Sequence, residues 1–122
     1  MHEFALAKAL KQTITSKYND HSKFIVYIGQ IQNIELEVFK AALSEEVHDL
    51  NISLIFQEVP AKIRCNICGY EFLYNSLGLS DDQQEDIHFL PEAIYVYVKC
   101  PKCKSNDFEV VEGRGIFIAP YN

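Results

Sequence analysis

Across residues 3–18, apolar side chains recur at helical spacing: Leu6, Leu10, Ile14 and Tyr18 form a stripe, with Ala5 and Ala9 beside it. Lys8, Lys11, Gln12 and Lys17 take the opposite side. This predicts an amphipathic helix that begins almost at the N-terminus and ends at the turn cluster Asn19-Asp20-His21-Ser22. Residues 23–32 are rich in β-branched and aromatic side chains (Phe24, Ile25, Val26, Tyr27, Ile28, Ile31) and read as a strand, with Gly29 marking a bulge or an early end. Asn33 is a candidate cap for a second helix whose buried stripe is Leu36, Phe39, Leu43 and Val47, with Ala42 beside them. Residues 51–59 alternate Ile52, Leu54 and Phe56 against Ser53 and Gln57, a strand with one covered face that Pro60 closes.

Beyond residue 63 the pattern changes. Two Cys-x-x-Cys pairs, Cys65/Cys68 and Cys100/Cys103, each have the form of a tight metal-binding turn, and Gly69 gives the first a flexible following position. Residues 70–73 read as the hairpin strand leaving that turn. Ser80 is an N-cap signal for a short helix running to His88 and stopping before Pro91. Residues 93–99 read as a strand buried on both faces that returns into the second turn. The segment Phe108 to Val111, the turn Glu112-Gly113-Arg114-Gly115 and an apolar triplet at 116–118 follow. The triplet is too short to stand alone and is expected to join the N-terminal sheet.

The expected fold is therefore α+β: a small two-helix layer on a three-stranded sheet, with a zinc-ribbon-like domain inserted between the second and third strands. The first domain takes residues 1–60 and 111–122, and the second takes 61–110 with its own insert at 74–99. The loop-rich second part is expected to have little core of its own, so that metal binding supplies much of its folding free energy, on the order of 10 kcal/mol in comparable peptides.

The chain has 122 residues, and 48% of them are hydrophobic, enough for a true core. Its net charge of −6 argues against a general nucleic-acid binder, which needs Lys and Arg for phosphates. No apolar run reaches membrane-spanning length, and residues 1–10 lack a signal-peptide pattern, so a cytoplasmic protein is expected. In that compartment two close cysteine pairs read as metal ligands rather than disulfides. A filled tetrahedron of four thiolates leaves no open position, which makes a zinc ion there structural, with iron a lesser alternative.

The first three residues, Met1-His2-Glu3, offer a second and different donor set. The N-terminal amine, the backbone nitrogen of residue 2 and its imidazole can close chelate rings on one ion. Nitrogen donors in a plane suit Ni(II) or Cu(II) better than tetrahedral Zn(II).

Met1-His2-Glu3 opening a helix, the two Cys-x-x-Cys pairs and the Gly113-Arg114-Gly115 turn together resemble the HypA/HybF family across essentially the whole chain. Its members are nickel-insertion accessory proteins for [NiFe]-hydrogenases. The resemblance implies transient Ni(II) at Met1, His2 and Glu3, and structural Zn(II) at Cys65, Cys68, Cys100 and Cys103. It also implies a HypB-type GTPase and the hydrogenase large-subunit precursor as partners, and a metallochaperone rather than an enzyme. Thirty-one residues separate Cys68 from Cys100, against about a dozen in shorter members, a spacing long enough to hold an element of its own. This length, with Ile87-His88-Phe89-Leu90-Pro91 before the second pair, is similar to archaeal members. His88 resembles a histidine that long-insert members can bring to nickel; from the residues alone it is more simply a polar group in a connection.

The Glu3 carboxylate is open to three readings, nickel ligand, hydrogen-bond partner of His2 or partner of a positive helix N-terminus, and its backbone nitrogen is also placed to complete a square of donors. His21 and His48, at turn-like and helix-end positions, read as solvated. The rival class for the whole chain is a zinc-ribbon module that binds nucleic acid or a protein complex. Acidic charge and the lack of a basic stripe between the cysteine pairs weigh against nucleic acid, and with no spanning apolar run no membrane partner is expected either. No thiol lies outside the four, and no Gly-rich phosphate loop is present, so catalysis is not expected.

Overall fold

The computed structural model describes residues 2–121, which fold into helices and two three-stranded sheets. The elements in order are α1 (His2–Lys17), β1 (Lys23–Gly29), α2 (Leu36–Val47), β2 (Ser53–Val59), β3 (Lys62–Cys65), β4 (Glu71–Leu73), α3 (Asp81–Phe89), α4 (Ile94–Tyr97), β5 (Phe108–Glu112) and β6 (Ile116–Pro120). The first sheet has the order β2-β1-β6 and the second β4-β3-β5. The C-terminal triplet thus does join the N-terminal sheet. The chain divides into two units, one of the described residues up to Tyr27, Ile34–Gln57 and those from Phe117 on, the other of Ile28–Asn33 and Glu58–Ile116.

In the first unit, α1 buries Ala7, Leu10 and Ile14, and α2 buries Phe39, Ala42, Leu43 and Val47. Leu6 and Tyr18 are half-buried, whereas Ala5 and Ala9 face solvent, so the buried stripe is rotated from the one the periodicity suggests. Its first position is Glu3, a carboxylate only 8% exposed. Phe24 and Val26 alternate inward along β1 with zero exposure, as period-two geometry requires. Ile52, Leu54 and Phe56 are half-buried on one side of the β2 segment, with Ile55 open on the other.

Asn33 does not cap α2. The chain stays outside the helix through Glu35 (φ −74°, ψ 106°), which is the N-cap residue and makes no side-chain cap bond. The reason is Ile34, buried at 6% exposure, which holds the chain against the core past Asn33 and delays the helix start.

The second unit has a core of its own, contrary to expectation. Ile31, Ile63, Phe72, Ile87, Ile94, Val98 and Phe108 pack into one buried cluster together with Cys65 and Cys100. β3 pairs antiparallel with β4 (Ile63 opposite Phe72) and with β5 (Cys65 opposite Phe108). β1 ends at Gly29, the earlier of the two outcomes its glycine allowed, and Ile31 then makes an isolated bridge to Arg114. Backbones approach very closely here. A Cβ on Gly29 would lie 2.5 Å from the Gly113 carbonyl, and one on Gly113 would lie 2.5 Å from the Pro60 oxygen. Gly113 also has φ +81°, so side chains are excluded there on two counts.

Residues 93–99 are not a strand. Pro91–Ala93 form a 3-10 turn that leads into α4, and the Val98 N–H donates to the Ile94 carbonyl at 2.9 Å. Ile94 and Val98 point inward at 0% and 2% exposure while Val96 is 76% exposed. An i, i+4 pair was hidden in a β-branched run, and burying that pair outweighed strand propensity. Near the start of the insert, Ser80 does cap α3, through a reciprocal box in which its hydroxyl accepts from the Gln83 N–H and its own N–H donates to the Gln83 side chain.

This distinction is testable by chemical denaturation. Ile94→Ala is expected to cost about 2–5 kcal/mol, as for other buried large-to-small changes, and Val96→Ser less than about 0.5 kcal/mol. Similar losses at both sites would mean a segment buried on two faces.

Candidate metal centre

Two similar turns carry the four cysteines. In the first, the Cys65 N–H donates to the Tyr70 carbonyl at 2.9 Å and the Gly69 N–H to the Cys65 carbonyl at 3.0 Å. In the second, the Cys100 N–H donates to the Ser105 carbonyl at 2.8 Å and the Lys104 N–H to the Cys100 carbonyl at 2.9 Å. Both turns need a left-handed residue at the same step, met by Gly69 (φ +76°) and by Lys104 (φ +66°). Gly69 is thus more than a flexible neighbour, and Lys104 fills the same role with a side chain attached. Asn66 joins the turns: its N–H donates to the Asp107 carbonyl at 2.9 Å and its amide to the Asp107 carboxylate at 3.0 Å.

The four sulfurs all lie within 4.8 Å of one another. Cys65 Sγ is 3.5 Å from Cys103 Sγ, and Cys68 Sγ is 3.6 Å from Cys100 Sγ. A zinc tetrahedron with bonds of about 2.3 Å puts its sulfurs roughly 3.8 Å apart, so the donor set fits a zinc ion with small adjustments. Cys65 and Cys100 are buried, whereas Cys68 and Cys103 are exposed.

Electrostatics divides these thiols. At Cys100 burial opposes ionisation, yet the backbone N–H groups of Cys103 and Lys102 and the neighbouring sulfurs bring the thiol down to about 6. The Cys68 N–H, with the Ile67 N–H 3.4 Å from its sulfur, lowers Cys65 against its own burial. At Cys103 the Ser105 N–H favours the thiolate, but bonding to the Cys65 sulfur, burial and the other two sulfurs push it up to about 12. Four thiolates in this space repel, and a divalent cation supplies the charge that lets all four ionise. Metal binding must therefore release protons.

The N-terminal candidates are arranged differently. Met1 lies outside the described residues. His2 opens α1 and is exposed. Glu3 follows it with its side chain turned inward, and its Oε2 accepts the Glu35 N–H at 2.9 Å. That bond, with its own N–H, holds the carboxyl at about 2. The carboxylate thus satisfies the backbone where α2 begins, a service normally given by a local cap side chain. Residue spacing carries no sign of it, because the partners are thirty-two positions apart. His88 sits in the last turn of α3, in the second unit, on an open cleft lined by Gln30, Tyr74, Asp81, Gln84 and Glu85. No group of three or more His, Cys, Asp or Glu other than the four cysteines is close enough to hold a metal among the described residues. His48 is exposed, as expected; its Nδ1 meets the Glu45 carbonyl at 2.7 Å, which raises its pKa at the C-terminal end of α2.

A family model described as "Hydrogenase/urease nickel incorporation, metallochaperone, hypA" matches residues 1–122. Relatives named hydrogenase maturation factor HypA include one from Pyrococcus horikoshii, 36% identical, and one from Pyrococcus abyssi, 37% identical. Each alignment covers 98% of this chain and 93% of the relative. Among solved structures, the solution structure of the Ni metallochaperone HypA from Helicobacter pylori aligns with a TM-score of 0.59 at 16% identity. It covers 96% of this chain and 92% of that one, which is a likeness of fold.

Two outcomes follow for the geometry described. Purified protein should carry about one zinc per chain, and both Cys65→Ser and Cys68→Ser should lose it. The buried Cys65 position should lower the melting temperature more, since it also buries a hydroxyl. Retained zinc stoichiometry in either variant would contradict the cage. For Glu3, the folded-state pKa of about 2 lies below the reference 4.5, so its stabilisation is full above pH 4.5 and is lost as pH falls through about 2. Melting temperature should decline across that window, and Glu3→Gln should flatten the decline. An identical acid profile in the variant would remove Glu3 from the account.

Proposed function

This chain belongs to the HypA family, and on that premise we propose that it is a nickel metallochaperone that takes Ni(II) as cargo at its N-terminus. The ligands in this reading are the Met1 amine, the backbone nitrogen and imidazole of His2, and Glu3. Its main support is the pairing of an exposed His2 with an anchored Glu3: the 2.9 Å bond to the Glu35 N–H fixes the first turn of α1 while the imidazole beside it stays open. The bond favours Glu3 as a positioning residue by its side chain and a donor by its backbone nitrogen. His88 is at most a conditional ligand, on the other unit.

The mechanism is ligand exchange. An exposed set of nitrogen donors binds the ion without burying it, and a better-placed site on the recipient can displace those donors one at a time. The recipient is the hydrogenase large-subunit precursor, with a HypB-type GTPase cooperating in delivery, and the work is done in the cytoplasm. No helix among the described residues is long and apolar enough to cross a membrane. The zinc-holding part, residues 61–110, gives shape; the part that handles nickel is 1–60 with 111–122. Nothing in this cycle makes or breaks a covalent bond of a substrate, so the chain acts as a carrier and not as an enzyme.

The test uses untagged, zinc-loaded protein titrated with nickel and followed by calorimetry and visible absorption. His2→Ala should abolish specific nickel binding with zinc content and melting unchanged. Adding one residue before Met1 keeps every side chain but alters the amine donor, and it should also lose nickel. Lower pH should weaken binding in the parent, since protons compete for the same nitrogens. If the extended protein binds with the parent's affinity and spectrum, the site lies elsewhere.

A further inference from the structure

No Lys or Arg occurs between Arg64 and Lys99, yet that stretch holds six carboxylates, Glu71, Asp81, Asp82, Glu85, Asp86 and Glu92. Its formal charge of −6 equals that of the whole chain, leaving eleven acids against eleven bases everywhere else. Only two of the six reach a cation among the described residues: Glu71 pairs with Lys62 and Glu92 with Arg114, each at 3.5 Å. The four on α3 have no described cation within ion-pair distance.

The same stretch carries the two most exposed large apolar side chains among the described residues, Phe89 at 83% and Val96 at 76%, with Leu90 at 56%. Phe89 and Leu90 line an open groove of about 380 Å³ with Ala93 and Tyr97, and Glu85 and Asp86 form its rim. The groove is held in shape. The Leu90 N–H donates to the Asp86 carbonyl at 2.8 Å, and the Tyr97 hydroxyl donates to the Asp86 carboxylate, tying α4 to α3. The inward demands of this segment are already met by Ile87, Ile94 and Val98, so Phe89 and Leu90 add nothing to its core.

We propose that this groove docks a partner polypeptide segment that lays an apolar side chain on Phe89, Leu90 and Ala93 and sets Lys or Arg against Glu85 and Asp86. An apolar floor inside an acidic rim is complementary to an amphipathic, basic segment. The unpaired charge disfavours the other occupants. A second copy would bring acid against acid, and nucleic acid or an anionic lipid surface would be repelled. The proposal is independent of nickel, since none of these residues belongs to the N-terminal donor set.

The experiment titrates isotope-labelled, zinc-loaded full-length protein, without nickel, with two short synthetic helical peptides of identical Leu and Phe anchors, one flanked by Lys and one by Glu. The Lys-flanked peptide should shift amide resonances across residues 85–97, and its affinity should fall at least about tenfold in Phe89→Ser, in Glu85→Lys and on raising salt. The Glu-flanked peptide should not bind. Both substituted side chains are exposed, so unchanged melting and zinc content verify the fold. Absence of binding, equal binding of the two peptides, shifts confined to other residues, or full affinity in the variants would each overturn the proposal. So would sedimentation showing a dimer of the protein that Phe89→Ser dissolves, because the occupant would then be a second copy.

Discussion

The convergence of four sulfurs is the constraint on which the second unit depends. Two turns thirty-five residues apart in sequence must present their thiols within 4.8 Å of one another. Each turn needs one left-handed residue to do so, and the chain places Gly69 and Lys104 at those steps. Between the turns the chain is free to carry an insert, and it folds that insert back through Ile87, Ile94 and Val98 onto the same core that receives Cys65 and Cys100. The metal therefore closes one end of an apolar cluster instead of substituting for it. Loss of the ion should unravel the turns before it exposes the insert's inward side chains.

On the proposed reading, the four-cysteine cage and the exposed His2 divide two kinds of metal chemistry. Four thiolates around one ion fill its coordination sphere and leave nothing to exchange, which suits a permanent structural ion. In the nickel site proposed above, the exposed His2 imidazole on the first turn of α1 has the opposite character, since it can be displaced from solvent. What the first unit supplies is registration. Glu3 sits in a buried stripe with Ala7, Leu10 and Ile14, and its carboxylate accepts the backbone N–H of Glu35, the N-cap residue of α2, which makes no side-chain cap bond of its own. A charged group in that position ties the first turn of α1 to α2 and leaves His2 as the exposed residue beside it.

Much of this was legible along the chain, for physical reasons that differ by element. The cysteine pairs were plain because a metal turn is local and its spacing is short. The Ser80 cap was legible for the same reason, its partner Gln83 being three residues away. The joining of the 116–118 triplet to the first sheet followed from its being too short to be stable alone. Two readings failed where packing decided between close alternatives. Residues 94–97 carry strand-like side chains, but only the Ile94 and Val98 pair is buried, and that spacing is helical. Asn33 offered a cap, but burial of Ile34 carried the chain past it, and the capping group arrived from Glu3 across the fold. Long-range hydrogen bonds of that kind leave no periodic trace. The core of the second unit was underestimated because its residues come from six separate short stretches, none conspicuous alone.

Two donor sets of such different character should hold two different ions without exchange between them. X-ray absorption at the zinc and nickel edges, on untagged protein carrying one equivalent of each metal, decides whether they do. Zinc is expected in a shell of four sulfurs at about 2.3 Å, and nickel in a shell of nitrogen and oxygen with no sulfur. Sulfur scattering at the nickel edge, with zinc displaced from its four-sulfur shell, would show that one cage serves both ions and that the division drawn here is wrong.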